Sequence, residues 1–300
     1  AEVWEARRVG VGGVSARVAI KRIRPEHKKE KAYKELFVNE ACLSAQMRHQ
    51  NLIAVQEFIE HDGDQLLVME YIEGITLRQV ISTAAKYDQR IPLGVIVEIG
   101  RQTAMGLHHA HNTKGASGNP LELVHRDIKP SNLILTQSGC LKVLDFGVSK
   151  GRRMKERKGA VRGTWGYMSP EQSQGRAVGP SADVYGLGLV LTELATLTSM
   201  FKGRAADEIK KLLVNDHPAR MATQLDLGYK KIIGVLVRAL QRDPAARYQD
   251  AASFGQDLAA LMPNSMKMKS ELVEFVQLVT SLRSGEPLST STEPVTGLGT

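Results

Sequence analysis

Two linked segments constrain this chain more than any other feature: VHRDIKPSNLIL at residues 124–135 and LDFGVSK at residues 144–150. They bring Asp127, Lys129, Asn132 and Asp145 close together in sequence. Alone, His125-Arg126-Asp127 could be an ordinary capped turn, but the two segments together make coincidence very unlikely. The chain can build a core to hold them, because 300 residues at 42% hydrophobic content suit one large domain or two lobes. Its only cysteines, Cys42 and Cys140, supply neither a disulfide framework nor a four-ligand zinc site and point to a reducing compartment. No apolar run reaches the length of a membrane span; VYGLGLVLTELATL is broken by Glu193 and closely flanked by Asp183, so it reads as a buried central helix. No charged-then-apolar leader follows Ala1, so no signal peptide can be argued from these residues.

The formal net charge of +8 invites a nucleic-acid reading, but its distribution argues otherwise. Lys150, Arg152, Arg153, Lys155, Arg157, Lys158 and Arg162 face a single Glu156, so one loop at 150–162 carries +6. That loop lacks interleaved aromatic residues and a reader motif, and no specific nucleic-acid binding is expected.

Periodicity organises the rest. ARVAIKRI at 16–23 alternates as a strand, with Ala19 and Lys21 on one face. Residues 33–47 read as a helix whose stripe of Leu36, Glu40, Leu43 and Met47 sets a carboxylate among apolar neighbours, where it needs a partner. QLLVMEYI at 65–72 is an apolar strand, EGITL breaks the pattern, and helical spacing dominates afterwards, notably at Leu93–His111 and from Ser181 to about Leu261. NTKGASGNP is a polar surface loop. PNSMKMKS interrupts before a further amphipathic helix marked by Leu272, Phe275, Val279 and Leu282, and SGEPLSTSTEPVTGLGT is a flexible linker. The expected domains are therefore a small lobe at 1–72, a large lobe at 73–262, and a helix with a flexible tail at 263–300. His108, His109 and His111 lack a cysteine or paired carboxylates to complete a metal site and are expected to be surface or core histidines.

From residue 1 to about 262 the chain resembles eukaryotic-like (Hanks-type) bacterial serine/threonine protein kinases, by HRDIKPSN, DFG, VAIK and YMSPEQ. The fold this implies is α+β and bilobal: a small antiparallel sheet with one main helix above a mainly α-helical lobe. The function it implies is Mg2+-dependent transfer of the ATP γ-phosphate to serine or threonine hydroxyls of protein substrates in the cytoplasm. By resemblance, Asp127 takes the hydroxyl proton, Lys129 steadies the γ-phosphate, and Asn132 with Asp145 holds magnesium. Lys21 grips the α- and β-phosphates and is oriented by Glu40. Val3, Ala19, Met69, Glu70, Ile72 and Ile134 would line the nucleotide pocket, with Met69 as gatekeeper and Glu70 to Ile72 as hinge.

AEVWEA resembles the strand that follows a glycine-rich loop, so the catalytic domain is expected to be truncated within that loop. Gly10 to Gly13 lies too close to Lys21 for that role and reads as a turn between two strands. Ser169-Pro170-Glu171 closes the activation segment, with Glu171 expected to pair with Arg247 and Asp183 to anchor the catalytic-loop backbone. Thr164 would contact Asp127 and Lys129, and with Lys129 it argues for serine/threonine specificity. Arg126 would bind an activation-loop phosphate, yet Lys150 to Gly163 contains no Ser, Thr or Tyr. Two readings of the basic loop stand: an acidic partner orders it, or its cations are simply solvated. The alternative function is a pseudokinase scaffold without turnover; it predicts loss of Lys21, Asp127 or Asp145, and all three are present.

Overall fold

The computed structural model describes residues 1–10, 13, 15–28, 30–115, 117–146, 165–215 and 217–285. Strands β1 (Glu2–Val9) and β2 (Ser15–Arg22) pair antiparallel in a register that sets Val9 opposite Ser15 and Val3 opposite Lys21. Gly10 and Gly13 lie between the strand partners, with Gly13 at φ 80°, where a side chain would be strained. Helix α1 (Lys31–Ser44) follows, then β3 (Val55–His61) and β4 (Asp64–Glu70), completing an antiparallel sheet of order β1-β2-β4-β3. Its small core joins Phe37 and Ala41 of α1 to Leu67 and Met69 of β4.

The buried face of α1 differs from the expected stripe. Phe37, Glu40, Ala41 and Ser44 face inward at i, i+3, i+4 and i+7, while Leu36 and Leu43 are half-buried. The helix ends at Ser44, so Met47 reaches the core from the loop beyond it. Glu40 remains the inward carboxylate on either phase.

Beyond Glu70 the chain leaves that sheet. Strand β5 (Gly74–Thr76) leads into α2 (Leu77–Lys86) through a capping box, in which Gln79 N donates to Thr76 Oγ1 at 3.2 Å and Thr76 N to Gln79 Oε1 at 3.0 Å. Helix α3 (Leu93–His111) runs through the larger lobe, and β6 (Leu133–Thr136) with β7 (Leu141–Val143) completes a second sheet of order β5-β6-β7. A short α4 (Pro170–Ser173) precedes α5 (Pro180–Thr196), whose residues Ser181 to Leu194 are all buried, as an all-round apolar helix requires. Then come α6 (Ala206–Val214), α7 (His217–Ala222), α8 (Ile233–Ala239), α9 (Ala251–Leu261) and α10 (Ser265–Ser284). Gly100 lets α3 approach its neighbours closely: a Cβ there would lie 2.7 Å from Leu258 and 2.8 Å from Leu191.

Helix α10 begins earlier than its interrupting sequence suggests. Asn264 caps it by accepting from Lys267 N at 3.0 Å, so SMKMKS is helical and only Pro263 and Asn264 form the break. Met268, Leu272, Phe275, Val276 and Val279 are buried against α3 and α2, with Leu282 half-buried. Among the described residues no helix is long and apolar enough to cross a membrane.

One buried ion pair fastens α4 to the far end of the lobe. Arg247 Nη1 and Nη2 donate to Glu171 Oε1 and Oε2, each at 2.8 Å, and both side chains are almost fully buried. Burial alone would raise the Glu171 carboxyl, but the Arg247 hydrogen bonds and charge outweigh it and hold the pKa below the usual glutamate range. A depressed carboxyl contributes stability that is present above its unfolded pKa and lost as pH falls through the folded one. Glu171→Gln is expected to cost about 3–5 kcal/mol at pH 7 and to show a shallower acid loss than the native chain below about pH 4. Urea midpoints from pH 7 downward check this, and parallel curves would contradict it. In the same assay Leu272→Ala, which empties a fully buried site between α10 and α3, is expected to cost about 2–5 kcal/mol; an unchanged midpoint would show that α10 does not pack there.

Candidate active site

The site is suspended from one buried carboxylate. Asp183, in the first turn of α5 and 1% exposed, accepts at Oδ2 from His125 N and at Oδ1 from Arg126 N, both at 2.8 Å. His111 Nε2, on α3, adds a third contact at 2.7 Å from Oδ2. Burial would raise this carboxyl, but His111, His125 and the backbone donors hold it below the usual aspartate range. The anchoring holds Arg126 at φ 64°, a left-handed conformation costly for a side chain of this size, and turns the chain so that Asp127 follows. Gln172 Nε2 donates to Arg126 O at 2.9 Å and ties α4 to the same bend.

His125 passes the constraint on. It is fully buried, which lowers its pKa and favours the neutral ring. The ring lies 2.7 Å from Leu144 O through Nε2 and accepts from Asp127 N at Nδ1 at 3.2 Å, so the Nε2–H tautomer satisfies both. Phe146 packs against it, ring centroids 4.7 Å apart. The loop bearing Asp127 and the residues flanking Asp145 are thereby joined.

Around Asp127 the polar groups converge. Its Oδ2 accepts from Lys129 Nζ at 2.7 Å and Asn132 Nδ2 at 3.1 Å, and Asn132 Nδ2 also reaches Asp127 O at 2.9 Å. Leu144 N donates to Asn132 O at 2.8 Å, bringing Asn132 alongside the approach to Asp145. Asp145 sits at φ 49°, and its Oδ1 accepts from Lys21 Nζ at 2.7 Å. The same ammonium donates to Glu40 Oε1 at 2.5 Å. Burial alone would lower the Lys21 pKa, but Asp145 and Glu40 outweigh it and raise it, so the ammonium stays charged. The Asp145 side chain is 42% exposed, against 8% for Lys21. A part-exposed carboxylate is the hard-oxygen donor chemistry that magnesium takes, and the Asn132 side-chain oxygen is a donor of the same kind.

Of the residues expected around the nucleotide, Val3, Ala19, Met69 and Glu70 lie on strands of the small sheet, Ile72 follows it, and Ile134 lies on β6 of the second sheet. Val3, opposite Lys21, is exposed; Ala19 pairs with Met69 across β2 and β4, and Met69 is buried. Glu70, Ile72 and Ile134 are half-buried. Thr164, Ser149 and the basic loop at 150–162 lie outside the described residues, as does most of the expected tail. Arg126 has its Nε buried without a partner among the described residues.

Three groups escaped sequence reasoning. His111 is no bland histidine; its partner lies on a different helix, and no local spacing announces it. Gln172 was passed over within YMSPEQ. Lys142 Nζ binds Glu70 Oε1 at 2.7 Å, fixing the start of the hinge from β7.

Residues 11–265 match the protein kinase domain. The chain is 34% identical over 266 residues to the tyrosine-protein kinase MasK of Myxococcus xanthus, covering 87% of this chain and 41% of that protein. It is 31% identical over 271 residues to the serine/threonine-protein kinase drp72 of Corynebacterium efficiens, covering 84% of this chain and 49% of the relative. It thus spans less than half the length of these two curated relatives. The crystal structure of a PknI kinase-domain double mutant from Mycobacterium tuberculosis superposes with a TM-score of 0.62 at 24% identity, covering 86% of this chain and 89% of that one, which supports the α+β bilobal fold. A match that runs from residue 11 to residue 265, through the small sheet and the helical lobe alike, makes this chain a member of the protein kinase domain family.

Proposed function

We propose that this chain transfers the γ-phosphate of ATP to serine or threonine hydroxyls of proteins, with Asp127 as the base. The observation that carries the reading is Asp127 itself: its Oδ2 is held by Lys129 and Asn132 in a loop fixed from beneath by Asp183. The acceptor oxygen bonds to the γ-phosphorus, the bond to the β-bridging oxygen breaks, ADP leaves, and the hydroxyl proton passes to Asp127 Oδ2. Asn132 and Asp145 would hold magnesium, which would neutralise charge on the phosphate oxygens. Lys21, oriented by Glu40, contributes a fixed cation for the α- and β-phosphates, and Lys129 contributes one near the γ-phosphate. Val3, Ala19, Met69 and Ile134 serve as apolar walls for the adenine, with Glu70 to Ile72 as the hinge.

Lys129 favours serine and threonine acceptors, although one relative carries a tyrosine-kinase name. We take residues 1–72 as the small lobe, 73–262 as the large lobe and 263–300 as the docked helix and tail. Cys42 and Cys140 are both free thiols, as befits the reducing, ATP-rich cytoplasm.

Asp127→Asn is expected to lower magnesium-dependent phosphate incorporation into a generic serine/threonine protein substrate by about 10²- to 10⁴-fold without moving the unfolding midpoint. Undiminished incorporation would remove Asp127 from its role, and no incorporation by either protein would favour a scaffold. Phosphoamino-acid analysis of the product is expected to yield phosphoserine and phosphothreonine; phosphotyrosine alone would overturn the acceptor assignment.

A further inference from the structure

The Glu171–Arg247 pair also underlies a surface depression. Arg247 donates from Nε to Gln241 O at 2.7 Å and from Nη2 to Arg242 O at 2.9 Å, which fastens the Gln241–Arg242 backbone to the buried pair. On the opposite side Arg176 N donates to Glu171 O at 2.9 Å. These two anchored stretches carry the exposed side chains of Arg176 and Arg242, which with Gln241, Asp243 and Pro244 line a hollow of about 420 Å3. Among the described residues neither guanidinium has an ion-pair or side-chain hydrogen-bond partner. Asp243, the one carboxylate in the lining, already accepts from Ala245 N at 3.0 Å and caps the turn at Pro244–Ala246.

Two uncommitted guanidiniums on fixed backbone are a prepared receptor for oxyanions, since each offers a planar fork of donors and little backbone ordering is left to oppose binding. The hollow opens just after α4, at the end of the segment that begins at Asp145. We propose that it is a docking subsite for an acidic stretch of a protein brought for phosphorylation, whose carboxylates are held by Arg176 and Arg242. Its role in substrate choice rests on the kinase reading; its binding chemistry does not.

The test is fluorescence anisotropy on the full chain, with labelled peptides that lack any free Ser, Thr or Tyr hydroxyl and so need no turnover. One peptide carries four consecutive glutamates, the second four glutamines, the third one phosphoserine among glutamines. The glutamate peptide is expected to bind about tenfold tighter than the glutamine peptide, and Arg176→Gln with Arg242→Gln to abolish that difference. Arg152→Gln with Arg153→Gln, in the basic stretch at 150–162, is expected to preserve it, and Asp243→Asn to tighten binding of the glutamate peptide. Equal affinity of the native chain and the Arg176/Arg242 double variant for the glutamate peptide overturns the proposal, as does a preference confined to the phosphoserine peptide. Loss of binding in the Arg152/Arg153 variant instead would also overturn it, by assigning the acid preference to that loop. An acid preference that persists in a chain without transferase activity would uphold the site while removing the kinase reading.

Discussion

Everything at the centre of this molecule depends on the satisfaction of one buried carboxylate. Helix α5 is enclosed on every side, so an acid in its first turn has no recourse to water and must find its donors within the protein. Asp183 finds them in two consecutive backbone amides and one imidazole, and the helix dipole favours a negative charge at that end. The result is a strained bend at Arg126 that would not persist in an isolated peptide. Asp127 inherits its position from that bend, and Asp145 inherits part of its own through His125 and the Leu144 carbonyl.

A second charge constraint complements the first. Lys21 serves two carboxylates, Glu40 from α1 and Asp145 from the far side of the cleft, so the cluster of two acids and one ammonium carries a net charge of −1. Glu40 and Lys21 are both buried, whereas Asp145 stays open to solution. The uncompensated charge is therefore displayed at the accessible end, where a divalent cation can meet it. Near Asp127, by contrast, Lys129 sets an ammonium against the acid. The two clusters are linked through His125, Asn132 and Leu144 into one connected network.

How much of this could be read from the chain alone follows from the range of each interaction. The four polar residues of the two motifs are set by short offsets, and their spacing carries the resemblance directly. The Glu171–Arg247 pair and the Asp183 anchor were legible only because a family pattern supplied the distant partner. His111 had no such help: its partner lies 72 residues away, and with His108 and His109 it reads only as one of three surface or core histidines. The phase of α1 was misjudged because Leu36, Phe37 and Leu43 are all apolar, and periodicity cannot choose between adjacent stripes that both satisfy it. The start of α10 was hidden because Ser265 to Ser270 looks polar, while the single cap that starts the helix is one asparagine side chain.

The small sheet meets the larger lobe along β7 and the residues just after it. The chain runs into β3 through residues 51–53, and these pair with β7: Val143 N donates to Asn51 O at 2.8 Å and Ile53 N to Val143 O at 3.0 Å. It leaves through Glu70, which Lys142 holds. Asn51 is further pinned by Gln102 of α3, at 2.9 Å, within a buried polar chain that includes Glu98 and Leu141. The lead-in to β3 and the exit at Glu70 are therefore both fastened to neighbouring residues of one short strand, while Lys21 reaches across to Asp145 just beyond it.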